Sequence, residues 1–355
     1  MVHPLVSIVI DNFNYARFLV QSIDSALTQT YPHVEVIVVD DASTDGSRAI
    51  VEGYLPRVRA VFQASNRGQG AAFNEGFLVS CGDIVMFLDA DDWLYSDAVQ
   101  RIVSAWLPGQ SKTHFRLHLV DAAGVTIDIH PAPEVRLDRG DVVPLLLELG
   151  RYETVVTSGN AFARAALAAN LPMPEEPFRI AADGYLATVV PFHGPVNCIE
   201  ECLGAYRMHG ANAYGNARAP AGDELCLRTR KFLAHDAHKE PVLRGKARAG
   251  GLDLKGDPQL RDPAHLELRI ASLRLDPANH PYPGDRRLML ALRGVAASRR
   301  ARLPWPRRTV IALWFMVAAL LPTRVALPAI RWKMQPTTRP GGVDRHIKRL
   351  RRLLS

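Results

Sequence analysis

Two acidic clusters stand where they could handle a cation and a phosphorylated substrate. Asp89-Ala90-Asp91 sets two carboxylates at i and i+2, directly after the apolar run Ile84–Leu88 and just before Trp93. Where a strand runs out into a loop, carboxylates at that spacing reach one hard cation or its bound water. Mg2+ and Mn2+ prefer such oxygen ligands and share their shell with substrate phosphates. A cation held there offsets the charge on a departing diphosphate. An isolated Asp-x-Asp is as readily a solvated turn; placed after a fully apolar strand, it reads as functional. Asp40 and Asp41 close a second apolar run in VVDDASTDGS. A carboxylate there can accept from a uracil imide or a ribose hydroxyl, or can simply turn the chain. For Asp45 the helix-capping reading is the better one.

The elements that must position these groups are legible in the first 90 residues. Val6–Ile10, Val34–Val39, Val58–Phe62 and Ile84–Leu88 are β-branched-rich runs of strand length. Phe18–Thr28, Ser47–Tyr54 and Gly70–Ser80 between them carry helical patterns, the second opened by the capping signal Ser43-Thr44-Asp45. Strand alternating with helix predicts an α/β fold on a mostly parallel, Rossmann-like sheet flanked by helices, with its chemistry at the C-terminal strand ends. Those ends hold Asp11-Asn12, Asp40-Asp41, Asn66-Arg67-Gly68 and Asp89-Ala90-Asp91-Asp92. Beyond Thr113 short strand-like runs surround a turn at Ala122-Ala123-Gly124. Helices are expected over Arg139–Leu149 and Ala181–Val190, and Pro172, Pro174 and Pro177 break the chain between them.

Composition excludes several classes. With 48% hydrophobic and 22% charged residues, the chain is globular rather than disordered. The four cysteines form neither a disulfide framework nor a zinc pattern, and are read as free, buried thiols in a reducing compartment. Met1–Ile10 leads straight into a strand without a signal-peptide pattern.

The strings VSIVI, LTQTYPHVEVIVVDDASTDGS, NRGQGAAFNEGF and FLDADDWL resemble, in that order and spacing, family 2 glycosyltransferases of the GT-A fold. The similarity is strong over about residues 4–106. It is looser to about 215, through TSGNAFAR, ADGYL and YRMHGAN. The resemblance implies inverting transfer of a sugar from a nucleotide-diphosphate sugar, by default a UDP-sugar, with Mn2+ or Mg2+. The acceptor is a hydroxyl of a glycan or lipid-linked molecule, in cell-surface polysaccharide synthesis. It also implies roles. Asp11, Asn12 and Tyr15 line the nucleotide pocket, Asp41 with Asp40 contacts the base, and Arg67 and Asn74 lie near the phosphates. Asp89 approaches the ribose or the metal, and Asp91 is the principal metal ligand. Asp183 fits the catalytic base, although Ala182 stands where the family often has Glu; the plain alternative is a charge favourable to a helix N-terminus. Arg207 and His209 fold over the diphosphate, His209 also as a metal ligand, while Arg207 serves equally as a structural partner and His209 as a surface residue. Ser158-Gly159-Asn160 resembles the acceptor-facing segment. A catalytically silent nucleotide-sugar-binding or scaffold protein of this fold is the rival, and Ala182 is its best support.

The chain divides by sequence into a catalytic domain (1–215), a helical extension (216–300) and an apolar, basic tail (301–355). From Arg286 onward there are 17 Lys and Arg against a single acid, Asp344. Thr309–Leu321 is uncharged but short for a bilayer span, and His346–Leu354 has an amphipathic, basic pattern. These features predict a cytoplasmic protein held peripherally at the inner face of the cytoplasmic membrane; the alternative is a core helix packed on the catalytic domain, followed by a basic tail. No nucleic-acid motif accompanies the basic residues, so nucleic acid is not an expected partner.

Overall fold

In a computed structural model the chain is described over residues 3–209, 222–300, 304–335 and 341. It divides into two compact units. The first comprises 1–144 with 151–215, and the second 145–150 with 216–355.

In the first unit β1 (Val6–Asn12), α1 (Ala16–Leu27), β2 (Val34–Asp40), α2 (Ser47–Gly53), β3 (Arg59–Phe62), α3 (Gln69–Val79) and β4 (Ile84–Asp89) follow one another. Val6, Ile8, Val9 and Ile10 of β1 and Ile84–Leu88 of β4 are all buried. A strand covered on both faces reads as a continuous apolar run, as parallel strands do. The short β5 (Trp93–Leu94) and α4 (Ala98–Ser104) come next, then the hairpin of β6 (Lys112–Val120) and β7 (Thr126–His130). After α5 (Val143–Leu149), most of which belongs to the second unit, β8 (Asn160–Ala163), α6 (Arg164–Ala168), α7 (Ala182–Val189) and β9 (Val196–Arg207) complete the series. α5 starts later than the expected Arg139 because Gly140, at φ 84°, is held in a bridge to Val196.

Among the described residues the nine strands form one sheet in the order β3-β2-β1-β4-β8-β6-β9-β5, with β7 beside β6. The parallel order covers β1 to β4. Beyond β4 the sheet is mixed, β8 running antiparallel to both β4 and β6. After β2 and β3 have built outward on one side of β1, β4 pairs on the other. The β1/β4 boundary is thus a topological switch point, where open α/β sheets bind ligands. Register then places Asp11 beside Asp89, and Asn12 beside Asp40.

The second unit is helical: α8 (Gly222–Ala249), α9 (Pro263–Leu275), α10 (Arg287–Arg300), α11 (Trp305–Leu320) and α12 (Thr323–Met334). Asp262 caps α9 by accepting from the amides of Ala264 and His265. Leu266, Ile270, Leu290, Ala291, Phe315, Ala318 and Ile330 are buried together. Gly294 lets α10 approach α11, since a Cβ there would sit 2.3 Å from the Phe315 ring. The apolar run at 309–321 is therefore half packed: Phe315 and Ala318 face the core, while Val310, Leu313 and Leu320 remain exposed. Among the described residues no helix is long and apolar enough to cross a membrane. The amphipathic pattern at His346–Leu354 lies outside the described residues. The cysteines correct one expectation: Cys81 is exposed, and Cys198, Cys202 and Cys226 are half-buried rather than buried.

Candidate active site

Three carboxylates converge at the end of β4. One oxygen from each of Asp89, Asp91 and Asp92 lies within 4.8 Å of the others. Burial, and then the Asp91 charge, push the Asp11 carboxyl up to about 7. Asp89 is raised well above the usual carboxylate range by burial first and then by Asp11, Asp92, Asp91 and Asp183; Asp92 is raised by burial and by Asp91. Burial and the same carboxylates push the Tyr15 phenol up as well. Like charges held together out of water are costly unless a cation neutralises them. Asp11 Oδ1 is moreover buried without a hydrogen-bond partner. Hard oxygen donors and an orphaned buried carboxylate oxygen fit Mg2+ or Mn2+.

The three acids are not equivalent. Asp92 accepts from Ser158 Oγ at 2.6 Å and from the Arg207 amide at 2.8 Å, so both its oxygens tie the loop to neighbouring strands. Asp89 accepts from Gln69 Nε2 at 2.9 Å. Asp91 Oδ2 lies 2.8 Å from His209 Nε2, whose Nδ1 lies 3.2 Å from Arg17 Nη2. A guanidinium can only donate, so Nδ1 accepts, and a neutral His209 carries its proton on Nε2 and donates it to Asp91. In this arrangement His209 clamps Asp91. Tyr15 and Phe18 pack around its ring, at 5.5 and 5.1 Å between centroids.

Several residues expected at the nucleotide are engaged in holding the site together. Arg207 is buried between Phe18 and Trp93. Its guanidinium donates to the carbonyls of Asp91 and Ala122 and to Gln21 Oε1, so it buttresses Asp91 from behind. Asp40 accepts from Asn12 Nδ2 and the Ser43 amide. Asp41 accepts from the amides of Arg67 and Gly68, both at 2.7 Å, which fixes the loop before α3. The Arg67 side chain forms ion pairs with Glu75 and Glu175, and Asn74 grips both backbone groups of Met173. Neither side chain joins the carboxylate cluster, because Glu75, Glu175 and the Met173 backbone hold them. Asp45 accepts from the Ser47 amide in the turn that leads into α2, whose N-cap is Gly46, and also from the Ala16 amide of α1.

Gln69 was not singled out by sequence, although it lies within NRGQG. Its Nε2 also reaches Asp11 Oδ2 at 3.4 Å, and its Oε1 accepts from the Ala182 amide at 3.0 Å. One side chain thereby links the β1 and β4 carboxylates to the N-terminus of α7, whose first turn carries Asp183. Ala182 is fully buried, so the position that often holds a second acid is a packed methyl group here. Ala181, Asn14 and Ala42 each hold a left-handed conformation at φ 59°. Such residues persist only where their surroundings over-determine them, and cluster at functional sites.

Gly68 is a tight point of this frame. At φ +89° it lies so close to the loop before α7 that a Cβ would sit 2.5 Å from the Arg179 carbonyl. Gly68→Ala is expected to destabilise the protein by about 2 kcal/mol or more, because both conformation and space oppose it. A thermal midpoint unchanged by the substitution would contradict this.

Lys112 is a second group without a sequence signal. It is fully buried, donating to Thr154 Oγ1 at 2.9 Å and Tyr152 Oη at 3.1 Å. Burial lowers its pKa to about 7, with the Asp183 charge acting the other way. The unfolded chain, with an ordinary lysine, binds more protons from about pH 7 up to the usual lysine range, so this residue's penalty is complete below pH 7 and is relieved as pH rises. Lys112→Met should therefore stabilise the protein more at pH 6 than at pH 9, by a difference of about 2–3 kcal/mol. Denaturant melts of both proteins at the two pH values measure it, and equal differences would refute it.

The sequence profile described as glycosyl transferase family 2 matches residues 7–111, which span β1 to β4 and the acidic loop. An uncharacterised glycosyltransferase of Nostoc sp. is 35% identical over 225 residues, covering 62% of this chain and 69% of the relative. A putative teichuronic acid biosynthesis glycosyltransferase of Bacillus subtilis is 36% identical over 101 residues, covering 28% of this chain and 40% of that protein. A mannosyltransferase of Pyrobaculum calidifontis, solved with GDP-Man and Mn2+, shares the fold at TM-score 0.50 and 19% identity over 95% of this chain and 88% of its own. With the profile falling on the strands that deliver the carboxylates, and the cyanobacterial relative aligned over most of its length, the chain belongs to glycosyltransferase family 2 and is a glycosyltransferase of the GT-A fold.

Proposed function

We propose that this glycosyltransferase moves a sugar from a nucleotide-diphosphate sugar, with a UDP-sugar as the first donor to test, onto a hydroxyl of a glycan or lipid-linked acceptor, inverting the anomeric carbon. The observation that carries this reading is the convergence of Asp89, Asp91 and Asp92 at the β1/β4 switch point, joined through Gln69 to the helix that bears Asp183. Asp91 and Asp89 would hold the divalent cation, with Asp11 closing the shell and His209 and Arg207 steadying Asp91. When bound, the cation supplies electrostatic stabilisation of the leaving diphosphate. Asp183 accepts the proton of the acceptor hydroxyl as that oxygen attacks the anomeric carbon from the face opposite the leaving group, and a single carboxylate suffices for this.

Polysaccharide assembly is the favoured setting. Relatives are named for teichuronic acid, chondroitin and succinoglycan synthesis. The basic region from Arg286 onward suits attachment at the inner face of a membrane that presents a lipid-linked acceptor. Titration of the protein with UDP, GDP and dTDP, each with and without Mn2+, tests the reading. Metal-dependent binding of one nucleotide is expected. Binding of none, or binding indifferent to metal, would remove the proposal.

A further inference from the structure

The helical unit holds a second cationic site that the transfer chemistry does not use. A cavity of about 480 Å³ is lined by Arg274, Arg286, Arg287 and Thr323, with Asp285 at its wall. Arg287 and Thr323 are the first residues of α10 and α12, so two helix N-termini, of 14 and 12 residues, open at the same cavity. Arg274 is only 8% exposed. Its recorded partner is the Leu321 carbonyl, accepting from Nη2 at 2.9 Å. Asp285 does not neutralise these arginines, because its oxygens accept from Arg269 Nη2 and Nε at 2.6 and 2.7 Å and face His280 Nε2 at 3.1 Å. Among the described residues no ion pair involves Arg274, Arg286 or Arg287. Burial, and then the nearby Arg287 charge, push the Arg274 guanidinium below its usual range. Like charges gathered around a cavity without a counter-ion are unfavourable in themselves, and an anion relieves them.

We infer that this cavity is a binding site for a phosphoryl group. Guanidinium forks match phosphate oxygens bidentately, and helix N-termini add their amides and dipoles. The Thr323 hydroxyl supplies a further donor. Leu321 and Val325, on either side of Thr323, are 40% and 50% exposed. The bearer of the phosphoryl group is a membrane lipid headgroup or a soluble phosphate ester, and the two differ by what lies beyond the phosphate.

The test uses the full chain, glycerol phosphate in solution, and vesicles of phosphatidylcholine with and without phosphatidylglycerol. The variant Arg286→Gln with Arg287→Gln changes two exposed side chains, and circular dichroism reports its folding. Arg299→Gln with Arg300→Gln removes the same charge from the other end of α10. The first variant should bind at least tenfold more weakly and the second within twofold of wild type. A loss seen only on phosphatidylglycerol vesicles assigns the lipid, and a loss also seen with glycerol phosphate assigns the phosphate ester itself. Equal weakening by both variants would reduce the effect to diffuse charge and overturn the site, as would no difference between wild type and the first variant. Nucleotide titration in the same samples reads the catalytic unit separately, so failure of either proposal is distinguishable from failure of the other.

Discussion

Asp183→Asn should lower kcat about 1,000-fold while leaving nucleotide affinity within a factor of two. General-base catalysis contributes roughly 10² to 10⁴ in rate, and a thousandfold loss corresponds to about 4 kcal/mol of transition-state stabilisation. The substitution keeps the side-chain shape and the oxygen that accepts from the Gly184 amide at 2.9 Å, so the first turn of α7 is preserved. It removes the proton acceptor while leaving the side chains of Asp11, Asp89 and Asp91 in place. The split matters more than the loss: a purely structural role for Asp183 would weaken nucleotide binding or stability together with turnover. Turnover within tenfold of wild type would move the base elsewhere.

Asp91→Asn should abolish the effect of Mn2+ on nucleotide binding and reduce turnover by about 1,000-fold or more, since a Lewis acid at the leaving group contributes several kcal/mol. The amide oxygen can still accept from His209, which separates loss of charge from loss of the clamp. A second readout follows from the electrostatics. The Asp91 charge is among the causes raising Asp11, Asp89 and Asp92, so its removal relieves repulsion in the metal-free protein. Metal-free Asp91→Asn should therefore unfold at a higher temperature than wild type while being nearly inactive, as expected where a site trades stability for function. Metal-dependent nucleotide binding that survives the substitution would exclude Asp91 as a principal ligand.

Much of the catalytic unit was legible because its first four strands are local signals. Runs such as Ile84–Leu88 are apolar on both faces, helices of 3.6 periodicity lie between them, and turn residues mark the ends. The strand-end rule then picks out Asp11, Asp40, Asp41, Asp89 and Asp91 without knowledge of any contact. What each carboxylate touches was not legible. Asp41 and Asp89 are both acids at strand ends, yet Asp41 holds the amides of Arg67 and Gly68, whereas Asp89 stays in the acidic cluster. Arg67, Asn74 and Arg207 carry chemistry that suits a phosphate, and in each case a carbonyl or carboxylate from a distant loop engages it first.

The βαβ alternation, the acidic strand ends, the family resemblance and the basic C-terminal region can all be read from residues near one another in the chain. The convergence of the acids, the link from Gln69 to α7, the contact of His209 with Asp91 and the burial of Lys112 emerge only when the chain is folded. The same holds for the arginines from α9 and α10 that meet at one cavity with Thr323. What these share is that a hydrogen bond or a charge pair is set by separation in space, and its partners here lie up to 192 residues apart.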